Sequence, residues 1–579
     1  MKILFEDYHY DHLKLREILG ENFHSPVSST NRKRKINYVG YYCSTGDTGE
    51  LKEPAMIFPK VFLKYDYFGK NPRAFGHFNP DEIIDILEDE KLKSFASESQ
   101  IPFLLYEMSV WLYRAIEKYR QSCVNENISE SGLVNPVISK KDNHSLTELE
   151  IVESLRLFYE QNRDLFTFIS RKSNSQKNRI KWSKTITRKL PFFEDSKPVY
   201  FDVYSKKKTI NYDEELIRIF FSVLNQLNCK YVFNFILNIN YPLITGLNYT
   251  RLEKKGFRYL KAIKYRYFND RMLRLHDLLI LYFERISKSK VGKAEEEYVL
   301  IKDFNRVFEE MIDKLIGDPA VGEIRKMKIQ PDNKQLDHIY RDEGIFQKED
   351  IYFIADSKYY TERSNIDVYS SYKQFTYARN VLSLNLDIFR SDTSVDKLRY
   401  QDEMTDGYHP TPNFFISAYF DDKMKSTDDG LVQESERFVK KSSHWRNRLF
   451  DRDSLFTLSY RINFMFVLQS FLKRKSAQNS TFKKETRERF RQEFIKYLEE
   501  SYDFFILVPK VGFKSAIESQ FKLLIGISYC PTNNKEELII ALEKNIEHRG
   551  KTVSEVICEL EKNWNVSAIK LSEYEREYR

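Results

Sequence analysis

The sequence predicts a mixed α/β (α+β) protein of several domains, and three observations carry that expectation. Segments whose apolar residues recur every three or four positions are interspersed with short apolar runs of strand character. The 579 residues are several times the usual domain size of roughly 100 to 200. A composition of 41% hydrophobic and 31% charged residues, with no long low-complexity tract, belongs to a chain folded almost throughout.

The charge balance of +8 is mild for this length, so any nucleic-acid contact has to come from local clusters. Five scattered cysteines without a CxxC pair point away from zinc and disulfides and toward reduced thiols in a cytoplasm. The amino terminus, MKILFEDYHYDHLKL, has acids and histidines where a signal peptide needs an apolar core. No uncharged apolar run approaches the ~18 residues of a membrane span. A cytoplasmic protein without membrane contact is expected.

Taken in order, residues 1–170 read as a mixed α/β region and a candidate for DNA recognition, with helices over Ile101–Tyr119 and Leu146–Phe158 and a strand-like run at Pro54–Tyr65. Residues 171–290 hold a basic segment and then a helical connector. Between Arg171 and Lys189 stand eight basic residues and no acid, a density suited to phosphate contacts or to a linker. Arg179, Lys181, Lys184 and Arg188 are its candidate DNA contacts, and Trp182 offers a stacking or packing surface. Residues 294–317 read as one amphipathic helix with Phe304, Val307, Phe308, Met311, Ile312 and Leu315 on one face and Gly317 as its stop. Two strand-like segments follow, "KQLDHIYR" and "EDIYFIADSKYY", joined through Asp-Glu-Gly, and these read as a β-hairpin. A helix from about Asp367 to Leu382, a polar loop and the strand "NFFISAYF" complete a core over residues 291–420. Residues 421–579 read as an α/β region packing on that core.

The hairpin carries the chemistry. Alternation places Tyr352, Ile354, Asp356 and Lys358 on one face of a strand whose two faces both begin apolar, so the strand is expected in a sheet interior. Asp356 and Lys358 then emerge together at its end, roughly 7 Å apart along the strand. Antiparallel pairing would bring Asp337 beside Asp356, and two close carboxylates repel unless a cation lies between them. Oxygen ligands with room for water and phosphate are what Mg²⁺ prefers, and a lysine beside them can orient a water or stabilise developing charge. The plain alternative is a structural ion pair at a strand end.

Asp337, eighteen residues, then Asp356-Ser-Lys358 on a hairpin after an acid-bearing helix resembles the PD-(D/E)XK nuclease superfamily. That resemblance implies a central mixed sheet flanked by helices, one or two Mg²⁺ ions held by Asp337, Asp356 and a helical glutamate, and 5′-phosphate products. "RVFEEMI" supplies Glu309 and Glu310; periodicity does not separate them, and the resemblance favours Glu309. Asp332 in "QPDN" is the alternative first acid, and Asp337 is preferred because Leu336, Ile339 and Tyr340 give it a strand setting. "DSKYY" followed by "VYSSYKQFTYA" resembles the signature of LlaJI-type restriction endonucleases, which are related to the McrC nuclease subunit. Its matching positions here are Asp356, Lys358, Tyr359, Tyr360, Lys373, Gln374 and Tyr377, the last three in supporting roles. "RIKWSKTI" and "YRINFMFVLQSF" are similar to further elements of that family.

The expectation is a Mg²⁺-dependent endonuclease of a bacterial restriction system acting on double-stranded DNA, with a cognate methyltransferase as system partner and a homodimer formed on DNA to cut both strands. A second reading is an McrC-like subunit that cuts only with a separate NTPase, since no GxxxxGK[ST] loop is present in this chain. A third is a catalytically silent DNA-binding or scaffold protein.

Overall fold

The computed structural model of the chain describes residues 1–20, 33–46, 49–65, 71–85, 101–125, 137–140, 146–167, 169–173, 179–209, 214–231, 241–292, 296–328, 336–359, 368–389, 405–434, 440–441, 447–473, 477–531 and 536–578. Two compact units form, each assembled from separated stretches of chain. The first comprises 1–58, 81–113 and 135–301, and the second 59–80, 114–134 and 302–579.

In the first unit a five-stranded sheet runs in the order Lys2–Phe5, Ala55–Phe58, Tyr38–Cys43, Glu297–Lys302, Val137–Lys140. Its core includes Leu4, Tyr10, Ile36, Ala55, Ile57 and Leu300. Glycine is required at position 40: it sits at φ +135°, and a Cβ there would stand 2.2 Å from the Val299 carbonyl oxygen. The strand at Glu297–Lys302 corrects the single helix expected over 294–317. Its Tyr-Val-Leu-Ile run fills a central sheet position, Asp303 turns the chain at φ +54°, and helix begins only at Asn305. Local helical pattern yields here to burial between strands.

Beyond the sheet, the first unit carries the basic segment. Helix α1 (Trp182–Arg188) leads into a hairpin of β1 (Phe192–Glu194) and β2 (Lys197–Val199), whose turn residues Asp195 and Ser196 have positive φ. The helical region beyond holds, among the described residues, three longer helices, Glu215–Tyr231, Gly246–Ile263 and Asp270–Lys290, with Asn269 capping the last.

The second unit holds the candidate site. Helix α2 (Asn305–Ile316) precedes a mixed sheet built from β3 (His338–Glu343), β4 (Asp350–Lys358), β5 (Asn413–Tyr419) and β6 (Phe456–Asn463), in that order, with Val432–Gln433 beyond β6. Strands β3 and β4 pair antiparallel as the expected hairpin, while β4, β5 and β6 are mutually parallel. Helix α3 (Val368–Phe389) connects β4 to β5 and packs Tyr377, Ala378 and Val381 onto Ile339, Tyr352 and Ile354. The opposite face receives α2, where Phe304 and Phe308 meet Tyr359. With helices on both faces, β4 is buried from Ile351 to Ser357, as a parallel-sheet interior requires. Asn463 ends β6 and caps the following helix through its side chain, which explains why a polar residue interrupts an apolar run.

Helix α4 (Ala477–Ser501) anchors the hairpin from outside. Arg491, fully buried, donates to the Glu343 and Gly344 carbonyls at the hairpin turn and pairs at 2.7 Å with the buried Glu575 carboxylate. Removing one partner of such a pair strands the other charge in a low dielectric. Arg491→Ala is therefore expected to cost about 3–5 kcal/mol, measured by urea unfolding; a loss under about 1 kcal/mol, the scale of a surface pair, would show that water replaces the guanidinium.

Candidate active site

The register of the hairpin decides what meets at its end. His338 lies opposite Ala355, so Asp337, one residue before β3, comes level with Asp356. The Asp337 Oδ2 accepts the Ser357 backbone N–H at 3.1 Å, which fixes its carboxylate to the end of β4. Asp356 is buried, and Lys358, two residues on and on the same face, forms an ion pair with its Oδ2. Lys358 also lies 5.7 Å from the Phe415 ring centroid, so one apolar wall confines the ammonium.

Electrostatics follow from this crowding. Burial first, and then the neighbouring Asp356 and Glu309 carboxylates, push the Asp337 carboxyl well above the usual range, against the pull of Lys358 and the Ser357 N–H. Glu309 on α2 is also raised, by burial and with a contribution from Asp356, while a 3.2 Å hydrogen bond from Asn305 opposes the shift. Glu310, one residue on, pairs instead with Lys314 at 3.3 Å. Glu309 feels both Asp356 and Lys358. Asp332 and Tyr360 lie outside the described residues.

Asp356 contributes to raising both Asp337 and Glu309, and carboxylates grouped in this way are donors of the type a hard cation takes. Asp337, Asp356 and Glu309 are thus the residues that could hold Mg²⁺. Among the described residues, no three acids, histidines or cysteines are gathered closely enough to enclose an ion, and Asp356 is engaged by Lys358. Their donor chemistry suits the metal, which would share the Asp356 carboxylate with Lys358 or displace the ammonium from it.

Lys373, Gln374 and Tyr377 on α3 stand on the same side of the sheet. Gln374 donates at 2.8 Å to Asn413, the first residue of β5, and its Oε1 is buried without a hydrogen-bond partner among the described residues. The Lys373 ammonium lies 5.4 Å from the Tyr377 ring centroid; although burial opposes its charge, Tyr377, Asp337 and Asp356 raise its proton affinity above the ordinary value.

Sequence reading missed the side chains that brace the opposite face. His338 is fully buried; its Nε2 hydrogen-bonds Ser357 Oγ, and its Nδ1 lies 3.4 Å from Asp313, which Lys328 pairs at 2.6 Å. Burial favours a neutral Asp313, but His338 and Lys328 outweigh it and hold the carboxyl below its usual range. The chain Asp313, His338, Ser357 thereby fixes the residue whose N–H orients Asp337. The spacing of Glu309 and Asp313, four apart on α2, and a histidine directly after the first acid were the available signals.

The candidate DNA contacts lie in the first unit. Lys184 sits 4.6 Å from the Tyr204 ring centroid, Lys181 is half-buried, and Trp182 and Arg188 are exposed. The Arg179 side chain falls outside what the structure describes.

Comparison with known proteins bears on what this site belongs to. The profile described as LlaJI restriction endonuclease matches residues 87–383, more than half of the chain, and spans the hairpin, α2 and most of α3. The chain belongs to the LlaJI restriction endonuclease family. No characterised protein and no solved structure gives a significant match. Membership makes this LlaJI-family chain a restriction-system nuclease, for which DNA is the substrate. Among the described residues no helix is long and apolar enough to cross a membrane.

Because the Asp337 carboxyl is raised by its surroundings, its ionisation opposes folding: stability contributed by the protonated form falls as pH rises from the ordinary carboxylate range through the raised folded value. Asp337→Asn should therefore stabilise the chain near neutral pH, on the order of 1 kcal/mol, and the gain should vanish below the ordinary carboxylate range. Mg²⁺ should raise the melting temperature of the parent and not of the variant. A variant less stable than the parent at neutral pH would refute the electrostatic account.

Proposed function

We propose that this chain is a Mg²⁺-dependent endonuclease with a PD-(D/E)XK-type site, hydrolysing phosphodiester bonds of double-stranded DNA at specific sites within a restriction system. The observation that carries the reading is the meeting of Asp337, Asp356 and Lys358 at the end of one buried hairpin in a LlaJI-family chain. Antiparallel β3 and β4, parallel β5 after α3, and a glutamate-bearing helix before the hairpin all support a PD-(D/E)XK core.

Asp337, Asp356 and Glu309 would hold the metal, whose contribution when bound is to polarise the phosphodiester and acidify a water. Asp337 is presented in fixed orientation by the Ser357 N–H, so it needs little reorganisation to act. Lys358, once released from Asp356, orients the attacking water and balances charge developing on the phosphate oxygens. Gln374, with a buried acceptor to spare, positions that water or the catalytic lysine. Arg179, Lys181, Lys184 and Arg188 contact phosphates, a cognate methyltransferase protects host sites, and two copies act on the two strands.

One observation favours the partner-dependent reading as the second choice. Lys358 is held by Asp356 in an ion pair at the end of β4. A separate nucleotide-hydrolysing subunit that drives the rearrangement would make cutting conditional.

Purified protein incubated with unmethylated phage DNA and Mg²⁺ should yield discrete fragments, absent with EDTA. Asp356→Ala and Lys358→Ala should each lower cleavage at least about 100-fold while DNA binding stays within a few-fold. Undiminished cutting by either variant would sink the site assignment. Cutting that begins only when a neighbouring NTPase and nucleotide are added would replace the autonomous reading with the conditional one.

A further inference from the structure

We propose that helix α1 and the β1–β2 hairpin form a base-stacking surface for locally unpaired DNA strand. The inference rests on the DNA-cleaving reading for the identity of the polymer, and on this surface for everything else.

Ordinary folding buries apolar residues, and here it does the reverse. Within α1, Trp182 and Ile186 stand one turn apart and lie 54% and 58% exposed; Leu190 continues the line at 94%. The hairpin adds Phe192 at 70%, edge-on to the 66% exposed Phe201 with centroids 5.4 Å apart, while Phe193, at 72%, points to the other face of the ribbon. What anchors the segment is polar and small. Thr185 is buried and accepts the Tyr204 N–H at 3.0 Å, while the Lys181 N–H donates to the Tyr204 carbonyl at 2.7 Å. The apolar stripe is therefore turned outward by the side chain that fixes the opposite face. Trp182 reaches Tyr200 with ring centroids 6.3 Å apart and Phe192 reaches the next residue, Phe201, so exposed rings link the helix to the hairpin, and such a patch marks a contact surface.

Its surroundings say what kind. Lys184, Arg188 and Lys197 are carried by the same helix and hairpin as the exposed rings, Lys184 and Lys189 lie 4.6 and 5.6 Å from the Tyr204 ring centroid, and Lys189 pairs with Asp202 at 3.0 Å. From Arg179 to Thr209 nine basic residues face three acids. Aromatic rings alternating with cations complement a polymer that alternates flat bases with phosphates. A paired base shows only its edge in the grooves, so a ring can stack only on a base that is unpaired or wedged from its neighbour. The occupant is thus a melted or flipped segment rather than intact duplex.

The test is fluorescence anisotropy of labelled duplex and of the same duplex with a central bubble. It is run in EDTA on the full chain carrying Asp356→Ala, so that failure of metal-dependent cleavage leaves it untouched. Adding Phe192→Ala and Phe201→Ala should weaken bubble binding about 10- to 100-fold and duplex binding less than about two-fold. Phe192→Trp alone should retain bubble binding, which separates loss of a ring from loss of fold. Arg188→Ala should weaken both DNAs alike and lower the salt slope by about one. Unchanged bubble binding by the double-alanine chain would overturn the proposal and make the face a protein-docking surface. Equal weakening on both DNAs would overturn it too, leaving a general phosphate contact.

Discussion

Everything at the candidate site follows from one constraint: acidic side chains held together out of water. Asp356 is buried because β4 is an interior strand, and Asp337 is drawn level with it by the register of a hairpin. In a low dielectric their repulsion is strong, and the chain answers it with Lys358 on one carboxylate and a backbone N–H on the other. A one-residue slip of β3 against β4 would turn Asp337 to the opposite face, so the apolar residues that lock the register are as necessary to the chemistry as the acids themselves.

That lock is built from both sides of the sheet. On one face Tyr377 and its neighbours on α3 pack against Ile339 and Ile354, and Gln374 ties α3 to the start of β5 through Asn413. On the other, Asp313 and His338 hold Ser357 by its side chain while Asp337 takes its backbone N–H. Arg491 grips the hairpin turn at its far end. The acids therefore meet in a frame braced at three points, which is what electrostatic preorganisation demands of a site whose charges would otherwise move apart.

Much of this frame was legible in the sequence, and the reasons are specific. The hairpin could be read because strand alternation and an Asp-Glu-Gly turn agree, and because two acids and a lysine at the end of apolar runs contradict simple burial. The strand at Glu297–Lys302 could not, since its acids and apolar residues fit a helical period and only the neighbouring strands, distant in sequence, make it extended. Nor could the role of His338, whose partners Asp313 and Ser357 lie 25 and 19 residues away on different elements. Interleaving of the two units is hidden for the same reason: hydrophobic period reports local geometry and is silent about which distant stretch supplies the facing surface.

The two units break the ordinary partition of side chains in opposite senses. In one, charge is buried at the end of β4; in the other, aromatic surface is exposed around Phe192 and Phe193. Each departure costs free energy in the isolated chain, since buried carboxylates lose hydration and exposed rings order water. Under the proposed reading one kind of ligand would offset both costs: a polyanion with its divalent cation would add counter-charge at the acids, and unpaired bases would offer flat apolar faces to the rings. A protein that merely needed to be stable would have exchanged the two sets of residues. That it does not, in a family of restriction endonucleases, is the physical argument for reading both as surfaces shaped by DNA.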